Sequence, residues 1–323
     1  MAVRADLPGL HQLIAADARV ELVASGFTFT EGPVWDAPAG RLLFTDIPER
    51  RIWQHEPATG ETTPWLEGTN MANGLALDGE GRLLACEAGT SLLVRFGRDR
   101  SREVLCAAWQ GKELNSPNDV IVAPDGSIVF TDPHYGRAGP PHGVARPRFL
   151  DFQGVFRVVP GPPGAGPVEP QLLAGDFHTP NGLALSPDGS RLYVVDTVRM
   201  HVRVFDVLVD GSLAGGRVFF AQQEQELDLE AVMQHIHEHG APPHGVPDGL
   251  RVDERGNVWV TGPGGIWVID PDGRQLGLVE TPEFPANLAF GGADGRTLYI
   301  TATRSLYRVR TLVRGATAAA AGS

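Results

Sequence analysis

Six polar residues each open a short apolar run: Glu31 in "EGPVW", Asn73 in "NGLAL", Asn118 in "NDVIV", Asn181 in "NGLAL", Asp248 in "DGLRV" and Asn287 in "NLAF". Together they offer two carboxylates and four amides, with no sulfur or imidazole at that phase. Oxygen donors of this kind suit a hard cation, Ca²⁺ first, with Mg²⁺ or Mn²⁺ as alternatives. Zn²⁺ stays open as well, because oxygen-rich channel sites accept several ions. A cation held there acts as a Lewis acid on a substrate oxygen, and a neighbouring carboxylate serves as a base toward water. Taken singly, each residue has an ordinary explanation. Asparagine before a strand is a common turn residue, and Asp-Gly is a common hairpin turn. Their shared phase, with Pro or Gly flanking "EGP", "SPND", "TPNG" and "VPDG", is what joins them.

The elements that must position these residues recur with them. Each motif continues as a short apolar strand, a polar turn and a second apolar strand, as in "NDVIVAPDGSIVFTD" and "NGLALSPDGSRLYVVD". Forty glycines and 26 prolines punctuate the runs, the mark of an all-β chain with tight turns. Most motif starts lie about 40–45 residues apart, the length of one four-stranded propeller blade. Six repeats predict a six-bladed β-propeller. The first strand of each blade lines the axis, so the six polar residues converge at one end of the channel. The last repeat offers three strands, and "RVELVA" at 19–24 is expected to supply the fourth, closing the ring with an N-terminal strand. The reading is an N-terminal extension at 1–18, a single propeller domain at 19–312, and a flexible tail at 313–323. Two insertions interrupt the rhythm. One, at 136–150, is a Pro/Gly-rich loop. The other, at 224–240, sets Leu229, Val232, Met233 and Ile236 at helical spacing, which predicts a short amphipathic helix over one face, as packing or as a lid.

Composition excludes several classes. A formal charge of −12 argues against a nucleic-acid partner. No run of about 18 apolar residues suggests a membrane span, and the N-terminus lacks the apolar core of a signal peptide, so a cytoplasmic monomer or homodimer is expected. Lys112 is the only lysine, which leaves little room for Schiff-base chemistry, and Cys86 and Cys106 are read as reduced thiols. No G-x-S-x-G elbow occurs, and no G-x-G-x-x-G stands at a strand–helix junction. His235, His237, His239 and His244 cluster in the second insertion. A solvated polar helix face explains them better than a zinc site.

The motifs "LNSPNDVIVAPDGSIVFTDPHYG", "TPNGLALSPDGSRLYVVDT" and "NLAFGGADGRTLYITA" resemble those of the SMP-30/gluconolactonase family, over most of the chain from about Phe27 to Val309. The resemblance implies a six-bladed propeller with one divalent cation, often Ca²⁺, at the channel, and a small-molecule lactone as substrate. Carried over by motif, it makes Glu31, Asn181 and Asp248 metal ligands and Asn118 a ligand or a near-metal substrate contact. Asp248 would also be the catalytic base, or a nucleophile as in related phosphotriesterases. Asn73, Asn287, Glu87 and His134 are candidate substrate contacts. Some relatives carry an arginine two residues before the asparagine of the third motif, where this chain has Ser116. The substrate is therefore left among sugar-acid lactones first, then aryl or aliphatic lactones, esters and organophosphates. A reading from another class is a non-enzymatic propeller in which the cation is structural.

Overall fold

The computed structural model describes residues 3–4, 9–222, 227–228, 231, 234–235, 238 and 245–316. Among the described residues the chain forms an all-β propeller of six blade sheets, with a small two-stranded hairpin, Ala108–Trp109 paired with Lys112–Glu113, between blades two and three. Blade one comprises Thr30–Asp36, Arg41–Asp46, Arg51–Glu56 and Glu61–Glu67. Blade two comprises Ala72–Leu77, Leu83–Glu87, Leu92–Phe96 and Arg102–Cys106. Blade three comprises Val120–Val122, Ile128–Asp132, Gln153–Val158 and Gln171–Phe177. Blade four comprises Pro180–Leu185, Arg191–Asp196, His201–Val207 and Leu213–Ala221. Blade five comprises Leu250–Val252, Val258–Gly262, Gly265–Ile269 and Gln275–Glu280, with Val3–Arg4 added at its outer edge. Blade six comprises Pro285–Gly291, Thr297–Ala302 and Ser305–Arg310, and Glu21–Ser25 pairs antiparallel with Ser305–Arg310 as its outermost strand.

The period-2 alternation of each strand buries one row of side chains on each side of a blade, so the core is divided among the seams. Leu43, Ile52, Leu75 and Val94 fill the seam between blades one and two, and Leu84, Leu93, Phe130 and Phe156 the next. Val155, Leu183 and Val194 fill the third seam, and Tyr193, Val204, Leu250 and Val260 the fourth. Trp259, Val268, Leu288 and Ile300 pack between blades five and six, where Leu10, Leu13 and Ile14 of the N-terminal extension join them. Phe44, Leu306 and Tyr299 complete the circuit. Each such side chain contributes about 1.5–3 kcal/mol on burial, and no single seam dominates.

The first strands of successive blades touch around the axis. Gly74 N–H donates to Asn118 O at 2.7 Å, Gly182 N–H to Asp248 O at 2.9 Å, and Gly249 N–H to Ala286 O at 2.8 Å. A Cβ on Gly74 would stand 2.5 Å from Asn118 O, and one on Gly182 would strike the Asp248 carbonyl. The glycines after Asn73, Asn181 and Asp248 therefore permit close approach of neighbouring blades rather than a turn.

The insertion at 136–150 joins the second and third strands of blade three and runs over the motif end of the channel. Arg146 donates to Ala88 O at 2.9 Å and to Ser91 Oγ at 3.0 Å, and the His142 ring lies 4.3 Å from the Phe29 ring. The helix expected over 224–240 falls largely outside the described residues, as do Leu229, Val232, Met233 and Ile236. Of that segment, Ala231, Gln234, His235 and Glu238 carry helical backbone. His237, His239 and His244 also lie outside the described residues. At the other end of the chain, Val313 is buried and Ala316 N–H donates to Val252 O at 2.8 Å, so residues 313–316 run along blade five. Cys86 and Cys106 are free and buried. No described helix is long and apolar enough to cross a membrane.

Candidate active site

Each motif residue begins an innermost strand, so the tertiary closure brings all six to one end of the axis. Glu31 is 3% exposed. Its Oε2 accepts from Gly32 N–H at 2.5 Å and from Asn287 Nδ2 at 2.9 Å. Asn287 is held in turn, with its Oδ1 accepting from Leu288 N–H at 2.9 Å. Asp248 is half-buried, and its N–H donates to Thr261 Oγ1 at 2.9 Å. Asn181 is buried and donates from Nδ2 to Thr197 Oγ1 at 3.1 Å, and Thr197 donates onward to Pro247 O at 2.8 Å. Asn118 N–H donates to Thr131 O at 2.9 Å, and Asn73 O accepts from Thr45 Oγ1 at 3.1 Å. Threonines on the second strands (Thr45, Thr131, Thr261) thus fasten the inner strands without using the motif side chains.

Burial raises several acids of the fold, Asp132 to about 7 and Asp46 as well, and the two motif carboxylates are raised further by other acids nearby. Burial pushes Glu31 up to about 7, the Asp119 charge adds to this, and the Gly32 N–H, the Asn287 amide and Arg251 oppose it. Asp248 is also raised, by burial first and then by the charges of Glu31 and Asp119, with Asn181 opposing. Asp248 therefore lies within the field of Glu31, and both lie within that of Asp119. Asp119 follows Asn118 where other motifs carry glycine, and its Oδ2 lies 3.5 Å from Arg251 Nη1. Among the described residues no group of three or more His, Cys, Asp and Glu side chains is arranged to hold a metal ion. A cation at this ring would have two carboxylates and would complete its shell from amide oxygens. That all-oxygen set fits Ca²⁺, Mg²⁺ or Mn²⁺.

Two of the expected substrate contacts lie elsewhere. Glu87 ends the second strand of blade two, fully buried, with Arg102 at 2.6 Å and 3.0 Å, Thr90 Oγ1 at 2.8 Å and Asn70 Nδ2 at 3.1 Å on its carboxylate. It occupies the repeat position of Asp46, Asp132 and Asp196, which receive backbone N–H groups: Phe29 at 3.0 Å, Asn115 at 2.7 Å and Thr179 at 3.0 Å. His134 stands outside the ring, its N–H donating to Gln153 Oε1 at 2.9 Å. Burial and the Arg148 charge hold its imidazole below the usual value.

Sequence reasoning missed three groups that the fold brings in. Asp119 and Arg251 flank the carboxylate pair. The Tyr135 hydroxyl lies beside Thr197 and Thr179 and within the field of Asp248, raised by burial. Asp119 was detectable as the residue that breaks the Asn-Gly pattern. Tyr135 was not, because it lies past the second strand of blade three, just before the insertion, and has no counterpart at the repeated phase.

The chain is similar to known proteins over most of its length. The family model described as "SMP-30/Gluconolactonase/LRE-like region" matches residues 29–304. A gluconolactonase of Zymomonas mobilis subsp. mobilis is 30% identical over 95% of this chain and 85% of its own length. A pentonolactonase of Haloferax volcanii is 28% identical over 84% of this chain and 80% of its own. Among solved structures, a gluconolactonase from Xanthomonas campestris superposes with a TM-score of 0.83 at 32% identity, covering 96% of this chain and 95% of that one.

Proposed function

The chain belongs to the SMP-30/gluconolactonase/LRE-like family, and from that premise we propose that it is a divalent-metal-dependent lactonase acting first on sugar-acid lactones. The observation that carries the reading is the gathering of Glu31, buried, and Asp248, half-buried, at the same end of the channel, where the charge of Glu31 raises Asp248 and that of Asp119 raises both. Burying such a pair is costly unless positive charge offsets it. Arg251 is shared with Asp119, so it does not neutralise both. Relatives named as gluconolactonase and pentonolactonase support the substrate class.

Glu31, Asn118, Asn181 and Asp248 would hold the cation, which when bound polarises the lactone carbonyl and stabilises negative charge on its oxygen. Asn287 fixes the Glu31 carboxylate, and Thr197 fixes the Asn181 amide. Asp248 accepts a proton from water as the water oxygen attacks the carbonyl carbon. The acyl C–O bond of the ring then breaks, and the proton passes from Asp248 to the departing ring oxygen, leaving an open hydroxy acid. Asn73 and Asn118 present amides toward substrate hydroxyls.

The test is pH-stat hydrolysis of a panel of sugar, aryl and aliphatic lactones, esters and organophosphates. Chelated protein is compared with protein given back Ca²⁺, Mg²⁺, Mn²⁺ or Zn²⁺, beside Asp248→Ala. Turnover that returns with metal and is lost in the variant supports the reading. Absence of turnover on every substrate with every metal overturns it and leaves a propeller that binds without catalysis.

A further inference from the structure

A cavity lies at the junction of blades three and four. Its volume is about 590 Å³, and its walls include Asn115, His134, Phe152, Phe177, His178 and Arg148. That falls in the range of sites that enclose a small organic molecule. It opens from the same end of the propeller as the motif residues. Two chain segments lead from it into the site: Asn115 precedes Asn118 by three residues, and His178 precedes Asn181 by three. Three residues span at most about 10 Å. Tyr135, next to His134, reaches the field of Asp248.

The chemistry of the cavity is that of a neutral polyol. Asn115 is 1% exposed, and its Oδ1 has no hydrogen-bond partner in the protein, although its Nδ2 is engaged by Phe152 O at 2.9 Å. The Nδ1 atoms of His134 and His178 are likewise without a hydrogen-bond partner. Buried polar atoms left this way favour a ligand that brings hydrogen-bonding groups. Phe152 and Phe177 supply apolar wall, which suits the C–H face of a pyranose. The formal charges are balanced: Arg199 is 3.2 Å from Asp196, and Arg148 shares the cavity lining with Asp151.

We propose that this cavity is a glycosyl subsite, so that the preferred substrate is a glycosylated aldonolactone whose lactone ring occupies the motif ring and whose second sugar lies among Asn115, His134, Phe152, Phe177 and His178. The proposal rests on the lactonase reading for its catalytic half and on the cavity alone for its binding half.

Two measurements separate those halves. The first compares kcat/KM for gluconolactone with that for cellobionolactone and lactobionolactone, in the wild-type protein and in His178→Ala and Arg148→Ala. The expected result is a preference for a glycosylated lactone of about tenfold or more, with His178→Ala lowering it about tenfold further than it lowers gluconolactone turnover. Equal kcat/KM values, or equal losses on both kinds of substrate, overturn the subsite while the lactonase reading stands. The second follows the imidazole resonances of His134 and His178 during titration with methyl β-glucoside and methyl β-galactoside, which needs no catalysis. Saturable shifts that vanish in His178→Ala support the subsite even if no lactone is turned over. Silent resonances overturn it.

Discussion

Two sets of carboxylates stand at the same end of the blades in this propeller, and they are surrounded differently. Asp46, Asp132 and Asp196 end second strands and receive backbone N–H groups from the segment entering the same blade. Glu87 fills the equivalent position in blade two and is matched by Arg102. Glu31 and Asp248 stand at the start of first strands, at one end of the channel, each raised by burial and by neighbouring negative charge. The first set clasps the blades, with its charges answered by donors inside the fold. The second is left with an excess of negative charge, which is the condition for recruiting a cation. Burial alone does not distinguish structural from functional acids here. The neighbouring groups do: backbone N–H donors hold Asp46 and Asp132, although burial raises both, whereas other acids crowd Glu31 and Asp248.

The sharpest break of this contrast is Asp248→Asn. It should lower kcat/KM for gluconolactone by a factor of about 10³ or more, through loss of the base, while the thermal unfolding midpoint is kept or raised. Full activity in this variant would remove Asp248 from the chemistry. Chelation should act nearly as strongly, abolishing turnover until a divalent ion is returned, and activity that persisted in a chelator at equilibrium would undo the metal proposal. Asp196→Ala should do the reverse. It strands the His178 and Thr179 N–H groups, now bonded at 2.8 Å and 3.0 Å, and should cost about 3 kcal/mol in denaturant unfolding while the folded fraction retains most of its kcat. A loss of kcat without loss of stability would erase the distinction between the two sets.

The pH dependence of the chelated protein gives a finer test. Glu31 stands at about 7 in the folded chain, against about 4.3 when unfolded. Between these values the folded state binds more protons than the unfolded state, so stability should fall as pH rises from about 4 to about 7. The raised Asp248 adds a slope of the same sign. Glu31→Gln should flatten its share of that slope, as read by urea midpoints at a series of pH values, and an unchanged slope would show that Glu31 titrates normally. The smallest expected effect is Gly74→Ala. The added Cβ would press on Asn118 O and should cost about 2 kcal/mol, visible as a lower thermal midpoint.

How much of this was legible beforehand differs by residue. The repeat phase identified Glu31, Asn73, Asn118, Asn181, Asp248 and Asn287 as one ring, because residues at equal phase on innermost strands must face a common axis. Glu87 is expected from the sequence as a substrate contact, whereas the fold sets it at the strand end shared by Asp46, Asp132 and Asp196. Arg102, which engages it, lies on the outermost strand of blade two, a pairing that the repeat alone does not indicate. Asp119 was visible as a break in the Asn-Gly pattern, but its partner Arg251 lies 132 positions away.

The sequence by itself determined the blade number, the inner strands and the oxygen-rich character of the channel, because these follow from period, alternation and residue type. Only the tertiary structure decided which carboxylates are answered by donors and which are crowded by other acids, that the insertion at 136–150 lies over the channel end, and that a cavity opens between blades three and four. Those outcomes depend on contacts between segments far apart in the chain. A local pattern carries no record of them, because the partner's identity is set by ring closure rather than by any neighbour in sequence.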